Sequence, residues 1–162
     1  MPNSPAISEL PQQRLIGVLL EMSFSKDRTQ ELWQTFMPKK RLIRHPINSD
    51  LVSLQIYPES FASVGFDPQV SFIKWAAVKV AEDVEVPDGM QELVIPKGIY
   101  AIFDHIGPAS EFSKTIDLIF NQWLPESGFV LDSRPHYEVL PEGYNPMSAE
   151  AKEQVYIPIK AA

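Results

Sequence analysis

The sequence repeats itself, and this restricts the folds open to it. Residues near 14–80 and residues near 99–160 each read strand, helix, strand, strand. A proline ends each helical pattern, Pro38 in the first and Pro125 in the second, 87 positions apart. The same spacing aligns Leu32 with Ile119, Trp33 with Phe120 and Phe36 with Trp123. Further along, the spacing becomes 83 and aligns Gln55 with Glu138 and Pro58 with Pro141. A shorter loop in the second half explains the drop. The pattern predicts an α+β fold of two β-α-β-β repeats related by a pseudo-two-fold axis. Each half has antiparallel strands and one main helix, and a groove runs between the halves. Residues 1–13 read as a polar, proline-bearing tail, and 14–160 as a single domain. Acidic residues 82–88 link the repeats.

In the first repeat, residues 15–20 are an apolar strand. A helix follows with Thr29, Leu32, Trp33, Phe36 and Met37 on one face. Strands are expected at 51–57 and 70–80, separated by an irregular excursion that contains Gly65 and Pro68. In the second repeat, a strand over 100–106 closes at Gly107-Pro108, a turn signal. Ser110 opens a helix with Phe112, Ile116, Ile119, Phe120 and Trp123 on one face, and Pro125 and Gly128 stop it. Short strands follow at 136–140 and 155–159. Glu138 stands in the first of these, a carboxylate among apolar and aromatic residues, where the first repeat has the neutral Gln55.

Composition excludes several classes. The net charge of −7 argues against a nucleic-acid surface, which needs a basic face to replace counterions. No helix-turn-helix pattern is present, and the two repeats leave no length for one. With no cysteine there are no disulfides, thiolate metal sites or cysteine nucleophiles. The three histidines, His45, His105 and His136, lack metal-ligand spacing. No glycine loop for phosphates and no nucleophile elbow is present. No apolar run reaches the length of a membrane span, and the first residues lack the regions of a signal peptide. The expectation is a cytoplasmic protein with no cofactor, no metal, and no direct contact with nucleic acid or membrane.

Alternation assigns faces, since successive side chains of a strand point to opposite sides of the sheet. One helix covers one face of each half, and that face should be apolar. Tyr137 and Val139 would then meet a helix, as would Leu54, Ile56, Ala76, Val78, Val155 and Ile157. The helix-free faces collect Tyr57, Trp75, His136, Glu138 and Tyr156. Phe103 lies on a strand apolar on both faces, so parity leaves it open. Two such faces meeting across the axis would form an aromatic groove with one carboxylate, suited to a lipophilic cation. Spacing alone also allows Glu138 on a solvated face, and Tyr57, Trp75 and Tyr156 as core between the halves. Trp33, Trp123 and His105 read as structural.

The motifs of the second half arrive in a distinctive order: Lys97-Gly98-Ile99-Tyr100-Ala101-Ile102-Phe103, His105-Ile106-Gly107-Pro108, Trp123-Leu124-Pro125-Glu126-Ser127-Gly128, Tyr137-Glu138-Val139 and Val155-Tyr156-Ile157-Pro158-Ile159. With Val86-Pro87-Asp88-Gly89-Met90 upstream, this set resembles the gyrase-inhibitory-protein-like family. That family includes the effector-binding domains of AraC-type and MerR-type regulators. The resemblance implies ligand binding by Glu138, since drug-sensing members place a glutamate at the matching position. It implies a stand-alone binder of amphipathic or cationic aromatic compounds. Two alternatives come with it: a hydrolase of reactive cyclopropane compounds in which Glu138 activates water, and a protein that acts on DNA gyrase.

Overall fold

The computed structural model describes residues 4–61 and 65–162. The strands are β1 (Ala6–Leu10), β2 (Gln13–Met22), β3 (Leu51–Ile56), β4 (Phe72–Val80), β5 (Gln91–Ile95), β6 (Gly98–Ile106), β7 (Phe129–Leu131), β8 (His136–Leu140) and β9 (Lys152–Ala161). All belong to one antiparallel sheet in the order β1-β6-β9-β8-β3-β4-β2-β5, with β7 beside β9. The repeats are plain in this order. The first half runs β2-β4-β3 and the second β6-β9-β8, joined where β3 pairs with β8. Leu54 pairs with Tyr137 at that seam. An axis through this pair carries Gln55 to Glu138, in keeping with the 83-residue spacing.

Helix α1 (Thr29–Phe36) packs Leu32 and Phe36 on the first half, over Ile16, Val18, Ala76 and Val78. Helix α2 (Phe112–Leu118) continues as a π-helical turn (Ile119–Trp123) and a last α turn (Leu124–Glu126). It packs Ile119, Phe120 and Trp123 on the second half, over Phe103, Val155 and Ile157. Pro125 therefore lies inside the last turn instead of ending the helix. The wider π turn ahead of it relieves the clash of the proline ring with the preceding turn. Ser110 falls within a 3₁₀ turn (Ala109–Glu111) ahead of α2 rather than capping it. No helix among the described residues is long and apolar enough to cross a membrane.

The expected tail over 1–13 is corrected, because Ala6–Leu10 is strand β1. The leading strands are exchanged: β1 pairs with β6 of the second repeat, and β5 pairs with β2 of the first. One register runs through both pairings, from Leu10 opposite Gly98 to Gln13 opposite Ile95. Pro11 and Pro96, which lack the donor a ladder needs, sit in the gap between them. Because β1 leads into β2 and β5 into β6, this ribbon ties the two ends of the sheet together and curls it. The inner face of the curl holds a core of Leu15, Leu54, Trp75, Ile95, Tyr100 and Tyr137, drawn from both ends of the strand order. Gln13 Nε2 donates to Tyr137 Oη at 3.1 Å across it.

Candidate functional site

The helices cover the outer strands of each half and leave the central strands, β3 and β8, open between them. Side chains on the helix side of this seam form the floor of a cavity of about 440 Å³. The floor includes Gln55 from β3, His136 and Glu138 from β8, and Lys74 from β4, with Tyr57 just beyond the end of β3. Register explains the grouping: Gln55 lies opposite Lys74 on one side and His136 on the other. Side chains paired in this way share a face. The walls are apolar. Phe112, Ile116 and Phe120 come from α2, while Phe24 and Phe66 come from the loops after β2 and β3.

Glu138 is buried, and its carboxylate accepts a hydrogen bond from Gln55 Nε2 at 3.0 Å. Burial pushes its pKa up to about 7. Lys74 and the hydrogen bonds from Gln55 and Ser53 oppose that shift, while Glu153 adds to it. The carboxyl group thus titrates near neutrality. His136 is buried too, and burial lowers its pKa to about 3, so the ring is neutral. Its surroundings are aromatic: ring centroids of Tyr57, Phe61 and Phe120 lie at 5.0, 5.4 and 6.1 Å. Tyr57 stacks on Phe61 at 4.2 Å, and burial, reinforced by Glu138, raises its phenol above the ordinary value. An aromatic chamber with one buried acid on its floor can hold a flat or multi-ring compound and draw a positive charge to the acid.

Of the six residues singled out from the sequence, Glu138, His136 and Tyr57 share this cavity and three do not. Trp75 is on the inner face of the curl, in the core beneath β3 and β4. Tyr156 is on that face also, stacked on Tyr137 at 4.4 Å beside a smaller cavity of about 190 Å³. Phe103 is on the helix side but lies under α2, with its ring 5.2 Å from Trp123. The expected groove was assigned to the helix-free faces, and this is corrected: the cavity opens on the helix side. The curl turns the helix-free face into a closed core, so Leu54 and Tyr137 point there and not toward the helices. Lys74 and the phenylalanines of the walls were not singled out. Lys74 carried a signal, since it is a charge flanked by Ile73 and Trp75 in a mostly apolar strand, as Glu138 is flanked by Tyr137 and Val139 in β8.

Comparison with known proteins places this geometry in context. The profile described as a GyrI-like small molecule binding domain matches residues 4–160. The transcriptional regulator BrlR of Pseudomonas aeruginosa is 25% identical over 154 residues, which are 94% of this chain and 54% of that protein. A DNA gyrase inhibitor of Erwinia billingiae is 32% identical over 90 residues, 52% of this chain and 56% of that protein. The chain thus spans about half the length of these curated relatives. Among solved structures, SAV2435 bound to tetraphenylphosphonium superposes with a TM-score of 0.72 at 12% identity, covering 96% of this chain and 93% of that one.

Proposed function

The chain belongs to the GyrI-like small-molecule-binding domain family, and we propose that it binds aromatic, lipophilic cations in the cavity over β3 and β8. The observation that carries this reading is Glu138, a buried acid at the floor of an aromatic chamber, held by a neutral amide. Burial alone makes an ionised carboxylate costly, and a bound cation removes that cost. Aromatic walls add cation–π attraction and large apolar contact. A structural neighbour bound to tetraphenylphosphonium supports a cation of this shape as the probe.

The test is titration calorimetry with tetraphenylphosphonium and with neutral triphenylphosphine oxide, on the wild type and Glu138→Gln. A hydrogen bond or contact to a charged group is worth about 1.5–3 kcal/mol, so the cation should bind roughly tenfold to hundredfold more weakly to the variant. The neutral compound should lose far less. Equal losses for both compounds would reject Glu138 as the reader of charge.

A hydrolytic role is the second reading, favoured by the pKa of Glu138 near 7, the range in which a carboxylate works as a general base. Neutral His136 lies on the same strand and face but bears no charge to share. Incubation with a reactive cyclopropane compound, followed by mass spectrometry, separates the readings. Multiple turnovers abolished by Glu138→Gln would make the protein an enzyme, and stoichiometric capture alone would leave it a binder.

A further inference from the structure

We propose that Lys74 gives the same cavity a second, anion-reading pole, so that its preferred ligands are aromatic cations that also carry a carboxylate. This rests on the cation-binding reading above and narrows its ligand class. Lys74 lies on β4, opposite Gln55 in register, and lines the cavity. Its Nζ donates to Thr29 Oγ1 at 3.0 Å. An ammonium has three donors, so this contact leaves two for other partners. Among the described residues no carboxylate forms an ion pair with it.

The acids that feel its charge, Asp27, Glu138 and Glu153, are already engaged, Glu153 by Tyr144 Oη. Asp27 accepts from Thr29 Oγ1 and from the Thr29 backbone N–H at the start of α1. Burial would raise the Asp27 pKa, but those bonds and the attraction of Lys74 hold it below the usual value. Glu138 accepts from Gln55 one strand away. Lys74 on β4 and Glu138 on β8 stand on either side of β3 on the same face of the sheet. Tyr57, Phe72 and Phe120 supply the apolar surface around them. A ligand with a cation alone meets Glu138 but adds to the positive field of Lys74. A ligand with both charges meets a complement at each pole, which a charged pair in a low-dielectric cavity rewards.

The competing role for Lys74 is as a counter-ion to Glu138, and a matched dye pair distinguishes the two. Rhodamine 110 and rhodamine 123 share one xanthylium cation; the first bears a free carboxylate and the second its methyl ester. Fluorescence anisotropy titrations of the full chain give the ratio of their affinities. The wild type should favour rhodamine 110. Lys74→Met should cut the ratio by about tenfold or more, and Lys74→Arg should restore most of it. Glu138→Gln should weaken both dyes and preserve the ratio. An unchanged ratio in Lys74→Met, or equal tightening of both dyes, would overturn the anion pole. No effect of Glu138→Gln on either dye would overturn the cation reading while leaving the Lys74 result to stand by itself. If neither dye binds the folded wild type, both proposals fall.

Discussion

The first repeat brings Gln55, Tyr57 and Lys74 to the cavity, whereas the second brings Glu138, His136 and Ile157 from the matching strands. Beyond β3 the chain carries Phe61 and Phe66 against the pocket, where they pack on Tyr57 and Phe120. Beyond β8 the equivalent stretch turns back instead, and Tyr144 donates to the buried Glu153 at 2.8 Å. A shared scaffold has thus been given unlike contents. The strands and pairings obey the axis, while the charges and the covering aromatics do not. The seam shows why the difference is useful. The side chains of residues 55 and 138, equivalent under the axis, meet at the seam, and two acids there would compete for one proton. An amide facing an acid donates a hydrogen bond to it and adds no second titrating group at the contact.

Making the seam symmetric in charge should have the largest effect. Gln55→Glu would set two buried carboxylates within hydrogen-bond reach. At pH 8 the loss of stability should be on the order of 3–5 kcal/mol, the range seen when a buried charge is left uncompensated. Thermal unfolding should show most of it recovered at pH 5, where one or both acids hold a proton. Similar midpoints at the two pH values would mean that the residues are not neighbours.

Making the seam symmetric and neutral, with Glu138→Gln, removes a smaller effect. The pKa of Glu138 is raised by burial from 4.5 to about 7, so the native state holds this proton more tightly than the unfolded chain. Its contribution to stability is fully present below about pH 4.5 and is lost as pH rises through about 7. Over that window the loss is roughly 3 kcal/mol. Urea denaturation at pH 4.5 and at pH 8 should show the variant gaining on the wild type by this order. A constant difference between the two proteins would contradict the raised pKa.

Binding should report the same group more gently. Below pH 7 a cation must displace the proton, so tetraphenylphosphonium affinity should rise about tenfold per pH unit and level off above 7. The Glu138→Gln profile should be flat. A flat profile in the wild type would detach binding from this acid.

The smallest effect is expected on the other face of the sheet. Tyr156→Phe keeps the ring stacked on Tyr137 and removes only a hydroxyl, whose contact with Gln154 is long at 3.4 Å. Stability should move by less than about 0.5 kcal/mol, and tetraphenylphosphonium binding should not move. Weakened binding would relocate the ligand to the inner face.

The repeat was legible because proline stops and apolar spacing are local signals, and each half shows them. The equivalence of Gln55 and Glu138 as repeat positions followed from spacing alone, but their contact across the seam did not. The faces were not legible, and Trp75 and Tyr156 show why. Alternation gives which residues share a side of a strand, yet it does not say which side encloses solvent. That depends on the curl of the sheet, which is set by pairings such as Ala6 with Ile102, nearly a hundred residues apart. Phe120 illustrates the complementary limit. Its helical spacing marked it as core, but one helix can seal the sheet with Ile119 and wall a cavity with the neighbouring ring. Lys74 failed for a third reason, since a lysine in a strand reads as surface until its neighbours across the ladder are known.

The exchanged strands bear on how the chain comes to be folded during synthesis. When the first repeat has left the ribosome, β1 has no partner, because β6 lies in the other half. The outer edge of β2 waits for β5, and that of β3 waits for β8. Neither repeat is therefore an independent folding unit, whatever its internal pattern suggests. Closure depends on contacts distant in sequence, which makes folding slow compared with a helical protein of this size. Until the last strands emerge, the nascent chain carries two unpaired strand edges, each a template for pairing with another chain. Ligand cannot assist at that stage, because half of its chamber has not yet been made.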